Sequence, residues 1–539
     1  MNVAQGFAGI CRDSGDRAAL ISGLGRRRRR LSFAALERQV DAARQVLVRR
    51  GLQPGDRVLL AVPLSLETYI AMLAILKAGM VIMFIDPAHG IAAMARCLRA
   101  HPPAAIAGTR AVLLLRLLLP EMRKICTLLL VGRGPAAICN GRESRQALPA
   151  VPRADSDAAL LTFTSGSTGT PKGVLRSHGF LRSQMQVLGP VAGHGAGDIE
   201  LVAMPMFVLF NLAHGVTSVL PACSVKRPER ARARVLHAQL CAEQASRIVA
   251  SPALLERLAD YCSGQGPMLD HLRCISTGGG PVPPGLAERL AAIAPQATIR
   301  IVYGSTEAEP IAAIDSDQVS VADQRRMHDG RGLLVGKPVA GCDLRILSEA
   351  AEWGPAGSRK AQFLARCVAD NVAGEIVVAG KHVLSGYADR SRDAGTKIDI
   401  DGRCWHRTGD AGYLDSRGRL WLLGRCAAAV SGTGGAGGMV FPFQVEYAVS
   451  AVRGIRRAAL LPLHGAGVLV LEIRRRRAAA GCVRAARRIA GDAVERILVV
   501  RRIPLDKRHG AKVDYAALRA QLGHPGQDKA GTFTVSKPA

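Results

Sequence analysis

Short apolar runs alternate with amphipathic helical stretches through the first part of the chain, and this rhythm restricts its fold more than any other feature. Leu36 to Arg50 reads as a helix, Arg57 to Ala61 as a strand, Leu66 to Ala78 as a helix and Val81 to Ile85 as a strand. A brief, continuously apolar strand followed by a helix is the mark of a parallel strand covered on both faces. The rhythm holds to about Ala107 and resumes at Ala158. Further strands are predicted at 158–163, 199–203, 248–251, 273–276 and 300–303, with helices between them. The predicted fold class is therefore α/β, with helices packed on parallel sheets.

After about Val335 the pattern changes. Gly374 to Val378 and Gly418 to Leu422 read as short strands bounded by glycine turns, which predicts a β-barrel-like piece. Ser431 to Gly438 is nearly all Gly and Ser and reads as a flexible link. The expected organisation is a large body over 1–424, a small mobile α+β lid over 425–525 and a disordered tail over 526–539. A chain of 539 residues is long enough for more than one core, and its aromatic content of only 4% leaves the packing to Leu, Val, Ile and Ala.

Several function classes are disfavoured. The net charge is +29, but the basic residues are spread along the chain, with short runs at Arg26 to Arg30 and Arg474 to Arg477 and no aromatic residues among them. That pattern is not the one a single-strand nucleic-acid binder needs. It describes an Arg-rich surface that also attracts anionic substrates such as nucleotides. Pro63, Glu67 and Lys77 interrupt the apolar stretch from Val58 to Ile85, so it reads as a buried strand and helix rather than a membrane span. Met1 to Asp16 lacks the basic start and apolar run of a signal peptide. The 13 cysteines form no C-x-x-C pair, and Cys404 and His406 have no companion pair at zinc spacing; both facts fit reduced thiols in a cytoplasmic protein.

Four segments carry the chemistry, and a further strand-end loop joins them. In Leu161 to Gly173 an apolar strand enters a loop of small and hydroxylated residues, Thr164, Ser165, Gly166, Ser167, Thr168 and Gly169, and Lys172 follows. Small residues allow close backbone approach to a phosphate chain, while hydroxyls, amides and the Lys supply donors and charge. It is not a Walker A loop, because Pro171 precedes Lys172 and Gly173 follows it. Tyr303 to Glu307 follows another strand: an aromatic face suits a purine, the Thr306 hydroxyl a phosphate, and the Glu307 carboxylate Mg²⁺. Ser276 to Gly280, with Gly279 in it, is a further strand-end loop that could wall the same pocket. In Trp405 to Asp410, with Gly424-Arg425 beyond, Asp410 could accept bonds from both ribose hydroxyls, or could serve an Asx turn before a strand. Lys512 ends the segment from Pro504; taken alone it would be one surface Lys among many.

Together these segments resemble the adenylate-forming superfamily of acyl-CoA synthetases, stand-alone adenylation domains and luciferases, over roughly Asp16 to Leu522. The resemblance implies that Thr164 to Lys172 embrace the ATP phosphates, Tyr303 borders adenine, Thr306 touches the α-phosphate and Glu307 binds Mg²⁺. It implies that Asp410 and Arg425 hold ribose, and that Lys512 bridges the substrate carboxylate and the α-phosphate. Met204 to Phe210, Gly215 to Val219 and Arg508 to Lys512 look like the bacterial olefin β-lactone synthetase branch, whose members adenylate a 3-hydroxy fatty acid and close it to a β-lactone. The implied activity is ATP-dependent conversion of a carboxylic acid, fatty or 3-hydroxy fatty, to an acyl-adenylate with release of pyrophosphate. Transfer to CoA or an acyl carrier protein, or lactone closure, would complete it. There are two departures. Val208 stands where many members carry His, and Cys426 to Val430 replaces a hinge that is usually acidic or Lys. The altered hinge bears on thioester formation more than on adenylation. It also gives the rival expectation, a degenerate relative that binds nucleotide or acyl group without turnover.

Overall fold

A computed structural model describes residues 1–132, 137–139, 143–144, 146–164, 171–264, 268–283, 285–348, 359–432, 438–506, 511–522 and 533–536. The α/β rhythm resolves into two large sheets. In the six-stranded one, Thr127–Leu130, Ala105–Gly108, Arg57–Ala61, Val81–Met83 and Ala158–Thr164 run parallel in that spatial order, and Lys172–Ser177 adds antiparallel at the edge. In the second, Ala18–Ser22, Thr217–Leu220, Ile199–Val202, Arg247–Ala250, Cys274–Gly278 and Thr298–Ser305 form a parallel run. The direction reverses at Ala308–Asp315. Antiparallel strands then follow through Leu333–Pro338, Leu420–Arg425, Arg403–Leu414, Gly374–Ala379 and Asp343–Leu347. The barrel-like piece is thus hydrogen-bonded to the parallel sheet rather than set apart from it.

The helix Leu66–Lys77 is buried at every position, capped by the Ser65 hydroxyl accepting from the Thr68 amide. It lies in a core that draws residues from both large sheets, which explains why its sequence is apolar all round. Its two charges are paired: Lys77 Nζ is 2.6 Å from Asp41, and Glu67 is 2.7 Å from Arg29. A buried charge without such a partner would be costly.

From Ile455 onward the chain forms a separate four-stranded sheet, Ile455–Leu463, Ala466–Ile473, Arg496–Val500 and Phe533–Ser536, with apolar clusters of its own. Of the tail expected to be disordered over 526–539, the four described residues form the last strand, and 526–532 and 537–539 lie outside the described residues. Phe533–Ser536 pairs antiparallel with Arg496–Val500, whose edge offers backbone groups to an added strand. The Gly-rich link is described only at its ends, where Val430–Ser431 pairs with Met439–Val440; residues 433–437 lie outside the described residues. Among the described residues no helix is long and apolar enough to cross a membrane. All thirteen cysteines are free.

Candidate active site

The sequence-predicted residues come from segments far apart in the chain, and the two large sheets bring most of them to one place. Thr164 is register partner to Lys172, so the strands on either side of the predicted phosphate loop run antiparallel. Lys172 therefore opens a return strand rather than a helix. Ser165, Gly166, Ser167, Thr168 and Gly169, the loop itself, lie outside the described residues.

The Lys172 ammonium sits 5.0 Å over the ring of Tyr387, and the Tyr387 hydroxyl donates to Glu307 Oε1 at 3.0 Å. Tyr387 thus connects the two predicted charged groups. Burial, with Glu307 beside it, pushes the Tyr387 phenol well above its usual range, so the hydroxyl stays a donor. Lys397 approaches the other part of this cluster, 5.7 Å from the same ring, and burial pulls its ammonium down to about 8. Thr306 is held through its carbonyl, which accepts from Arg176 Nη2 at 2.9 Å.

Asp410 belongs to the long strand Arg403–Leu414, not to an Asx turn before a strand. It is register partner to Arg425 on the neighbouring strand, and Arg425 Nη1 donates to its Oδ1 at 2.9 Å. Its other oxygen accepts from the Tyr303 hydroxyl at 2.8 Å. The carboxylate is thus fixed from two sides, between the end of a parallel strand and the barrel-like piece. Gly409 has φ +69°, and an added Cβ would meet Arg425 at 3.1 Å, so a side chain there would strain the backbone and crowd the guanidinium.

Gly279 follows the strand Cys274–Gly278 and has φ +74°. Its neighbour Gly280 receives Ala511: a Cβ added at Gly280 would lie 2.7 Å from the Ala511 Cβ. The segment carrying Lys512 is pinned by Asp506, which accepts from the Lys512 amide at 3.0 Å and donates its own amide to the Lys512 carbonyl at 2.8 Å. Close by is Glu309, which the sequence reading missed. Burial raises its carboxyl, and the positive charges of Arg176 and Lys512 oppose that rise. Tyr303, Asp410 and Arg425 are thus joined directly, Lys172 and Glu307 through Tyr387, and the Lys512 segment through contact with the Gly279–Gly280 turn.

Arg176, Tyr387, Lys397 and Glu309 had no motif to announce them. Glu309 stands two residues past Glu307, and that spacing was the one available signal. A pocket opens beneath the same strand ends, with Gly278, Gly279, Glu309 and Val302 among its lining residues. Its upper end reaches the carboxyl ends of the parallel strands, where such sheets bind ligands.

The fold and these strand-end groups define a nucleotide-using enzyme of the α/β type, and the comparisons with known proteins name its family. Residues 7–388 match the family described as AMP-binding enzyme, and the chain belongs to that family. It is 31% identical over 510 residues to an olefin β-lactone synthetase of Stenotrophomonas maltophilia, covering 90% of this chain and 89% of the relative. It is 33% identical over 517 residues to the olefin β-lactone synthetase of Xanthomonas campestris pv. campestris, with the same 90% and 89% coverage. O-succinylbenzoate coenzyme A synthetase of Bacillus subtilis, solved in complex with AMP, shares the fold with a TM-score of 0.76 at 20% identity, covering 97% of this chain and 98% of that one. The protein is an AMP-forming ligase that uses ATP to activate a small-molecule carboxylic acid.

Proposed function

We propose that this enzyme adenylates a 3-hydroxy fatty acid and then closes it to a β-lactone. The observation that carries the adenylation step is the seating of Ala511 on Gly280, which delivers the Lys512 segment to the mouth of the pocket. The likeness to two olefin β-lactone synthetases over nine-tenths of the chain supports the second step.

In the first step a carboxylate oxygen attacks the α-phosphorus of ATP and pyrophosphate leaves. Two anions must be brought together, so catalysis is positioning and charge neutralisation. Lys512 bridges the carboxylate and the α-phosphate, Thr306 and the loop from Thr164 to Lys172 hold the phosphates, and Asp410 with Arg425 holds the ribose. Tyr303 and Gly279 border the nucleotide. Glu307 fits Mg²⁺: it offers one carboxylate, and Mg²⁺ in such sites takes one or two carboxylates beside phosphate oxygens. Among the described residues there is no cluster of three His, Cys, Asp or Glu side chains that would make a self-sufficient metal cage. When bound, the ion would neutralise charge on the phosphates.

In the second step the 3-hydroxyl oxygen attacks the acyl carbon, the C–O bond to AMP breaks and the hydroxyl proton is released. Transfer to CoA or an acyl carrier protein is the second reading, and one feature weighs against it. The hinge is uncharged; Val430 is packed in the C-terminal apolar cluster and the Ala427 carbonyl accepts from Arg519 at 3.0 Å. We place the boundary between body and lid at 424/425 and the enzyme in the cytoplasm, a placement the free thiols support. The test is pyrophosphate release across a panel of acids, with products identified by mass. Lactone closure predicts the mass of the acid less water. A CoA-dependent thioester would replace the lactone reading, and no acid-dependent release would leave the degenerate relative.

A further inference from the structure

The pocket beneath the adenylation site has a polar floor. Its walls follow the parallel strands downward. Gly278 is level with Val302, Ser276 with Arg300, and Cys274 with Arg247, which in turn is level with Glu200. Glu200 therefore lies four strand residues below Gly278, or about 13 Å at the rise of a strand. Beside it is His194. The helix His178–Ala192 ends at Gly193 in the left-handed conformation, φ +60°, and this turn sets the next residue against the bottom of the sheet.

An alkyl chain gains most from an apolar end wall, yet these groups are charged and polar. Asn211 Nδ2 donates to Glu200 Oε2 at 2.7 Å, Arg247 Nε lies 3.7 Å from Oε1, and His194 Nε2 lies 3.6 Å from Oε2. The Arg300 guanidinium is taken up by Asp315 at 2.6 and 2.7 Å and by the Val191 carbonyl. Asn211 Oδ1 and Arg247 Nε, and Thr277 Oγ1 near the mouth, are also buried without a hydrogen-bond partner among the described residues, but at the floor the unpaired lining atom is on His194. Its side chain is 8% exposed, it lines the pocket, and its Nδ1 is buried with no hydrogen-bond partner among the described residues. A buried polar atom left unpaired carries a penalty that a ligand can remove. Nε2 is the ring nitrogen nearer the Glu200 carboxylate, which leaves Nδ1 as the one without a partner among the described residues.

Resting on the reading that this pocket takes the acyl group, we propose that it is built for an acid carrying a hydroxyl remote from the carboxyl, which hydrogen-bonds His194 Nδ1. This is a group distinct from a 3-hydroxyl. With the carboxylate at the strand ends by Gly278, a hydroxyl two carbons away stays near the mouth, far above the floor.

The test compares straight-chain acids with their chain-end hydroxy counterparts over a series of lengths. At the length that reaches the floor, wild type should favour the hydroxy acid about tenfold or more in kcat/KM for pyrophosphate release, the worth of one buried hydrogen bond. His194→Phe keeps the ring that packs 5.3 Å from Phe210 and should reverse the preference toward the plain acid. His194→Gln, which keeps an acceptor, should retain part of it. A thermal melt of each variant separates misfolding from lost recognition. No preference in wild type at any length, or a preference that survives His194→Phe, overturns the proposal and leaves His194 satisfied by a buried water. If no acid supports pyrophosphate release, the adenylation reading fails on its own. Calorimetric titration of the same acid pairs without ATP then reads the floor directly: tighter binding of the hydroxy acid upholds it, and equal or undetectable affinities overturn it.

Discussion

Gly280 and Ala511 pack against each other so closely that a Cβ on Gly280 would stand 2.7 Å from the Ala511 Cβ. One residue belongs to the turn after the parallel strand Cys274–Gly278, the other to the segment just before Lys512. The absence of a side chain at position 280 is thus what lets the two surfaces meet. Gly280→Val should hold the Lys512 segment off the pocket mouth. Its expected effect is slower acid-dependent pyrophosphate release, about 10²-fold if Lys512 is displaced, with ATP binding retained. Paired turnover and nucleotide-titration measurements decide it; unchanged turnover would mean that this contact is not the working arrangement.

Lys512→Ala should slow pyrophosphate release by about 10²–10³-fold, the usual cost of removing one transition-state donor. Because that interaction strengthens as charge develops, affinity for ATP should be preserved. Full activity would make Lys512 an ordinary surface residue, and lost ATP binding would place it in the ground-state site.

Tyr303→Phe removes the donor that holds Asp410 Oδ2 at 2.8 Å and leaves the ring in place. Arg425 then orients the carboxylate alone. Bonds to charged groups contribute about 1.5–3 kcal/mol, so ATP affinity should fall tenfold or more in an equilibrium titration. Affinity equal to wild type would show that Asp410 does not depend on Tyr303 for its placement.

Glu446 gives a pH dependence in the C-terminal part. It is buried in the helix Pro442–Ser450, and burial pushes its carboxyl from 4.5 up to about 7. The folded state therefore binds the proton more tightly than the unfolded state. The contribution to stability is complete below about 4.5 and is lost as pH rises through 7, amounting to about 3 kcal/mol. Both of its hydrogen bonds, from the Leu460 amide and the Tyr515 hydroxyl at 2.8 Å each, fall on Oε1. Glu446→Gln can keep them and carries no ionisable group. Thermal melts should show the variant gaining on wild type as pH rises from 4.5 to 7, with a constant lead above it. A pH-independent difference would contradict this.

The alternating apolar runs determined the α/β class because burial on both faces of a parallel strand demands an uninterrupted apolar sequence. Arg57–Ala61 forms the strand read from that pattern with both its ends in place. Tyr303, Glu307 and Asp410 could be proposed because close approach to a nucleotide requires small, hydroxylated and charged residues next to one another in the chain, whereas Arg425 was marked only by the family resemblance. The tertiary structure decided everything that depends on distant segments meeting. Lys172 and Glu307 are joined by Tyr387, 80 residues from Glu307 in sequence, and no local pattern marks that tyrosine. The direction of the strand after the phosphate loop, the docking of Phe533–Ser536 on a sheet edge, and the polar floor of His194 and Glu200 belong to the same group. Each rests on a hydrogen bond, a packing contact or a burial penalty between residues that periodicity cannot relate. Such terms are settled only when the whole chain closes around them.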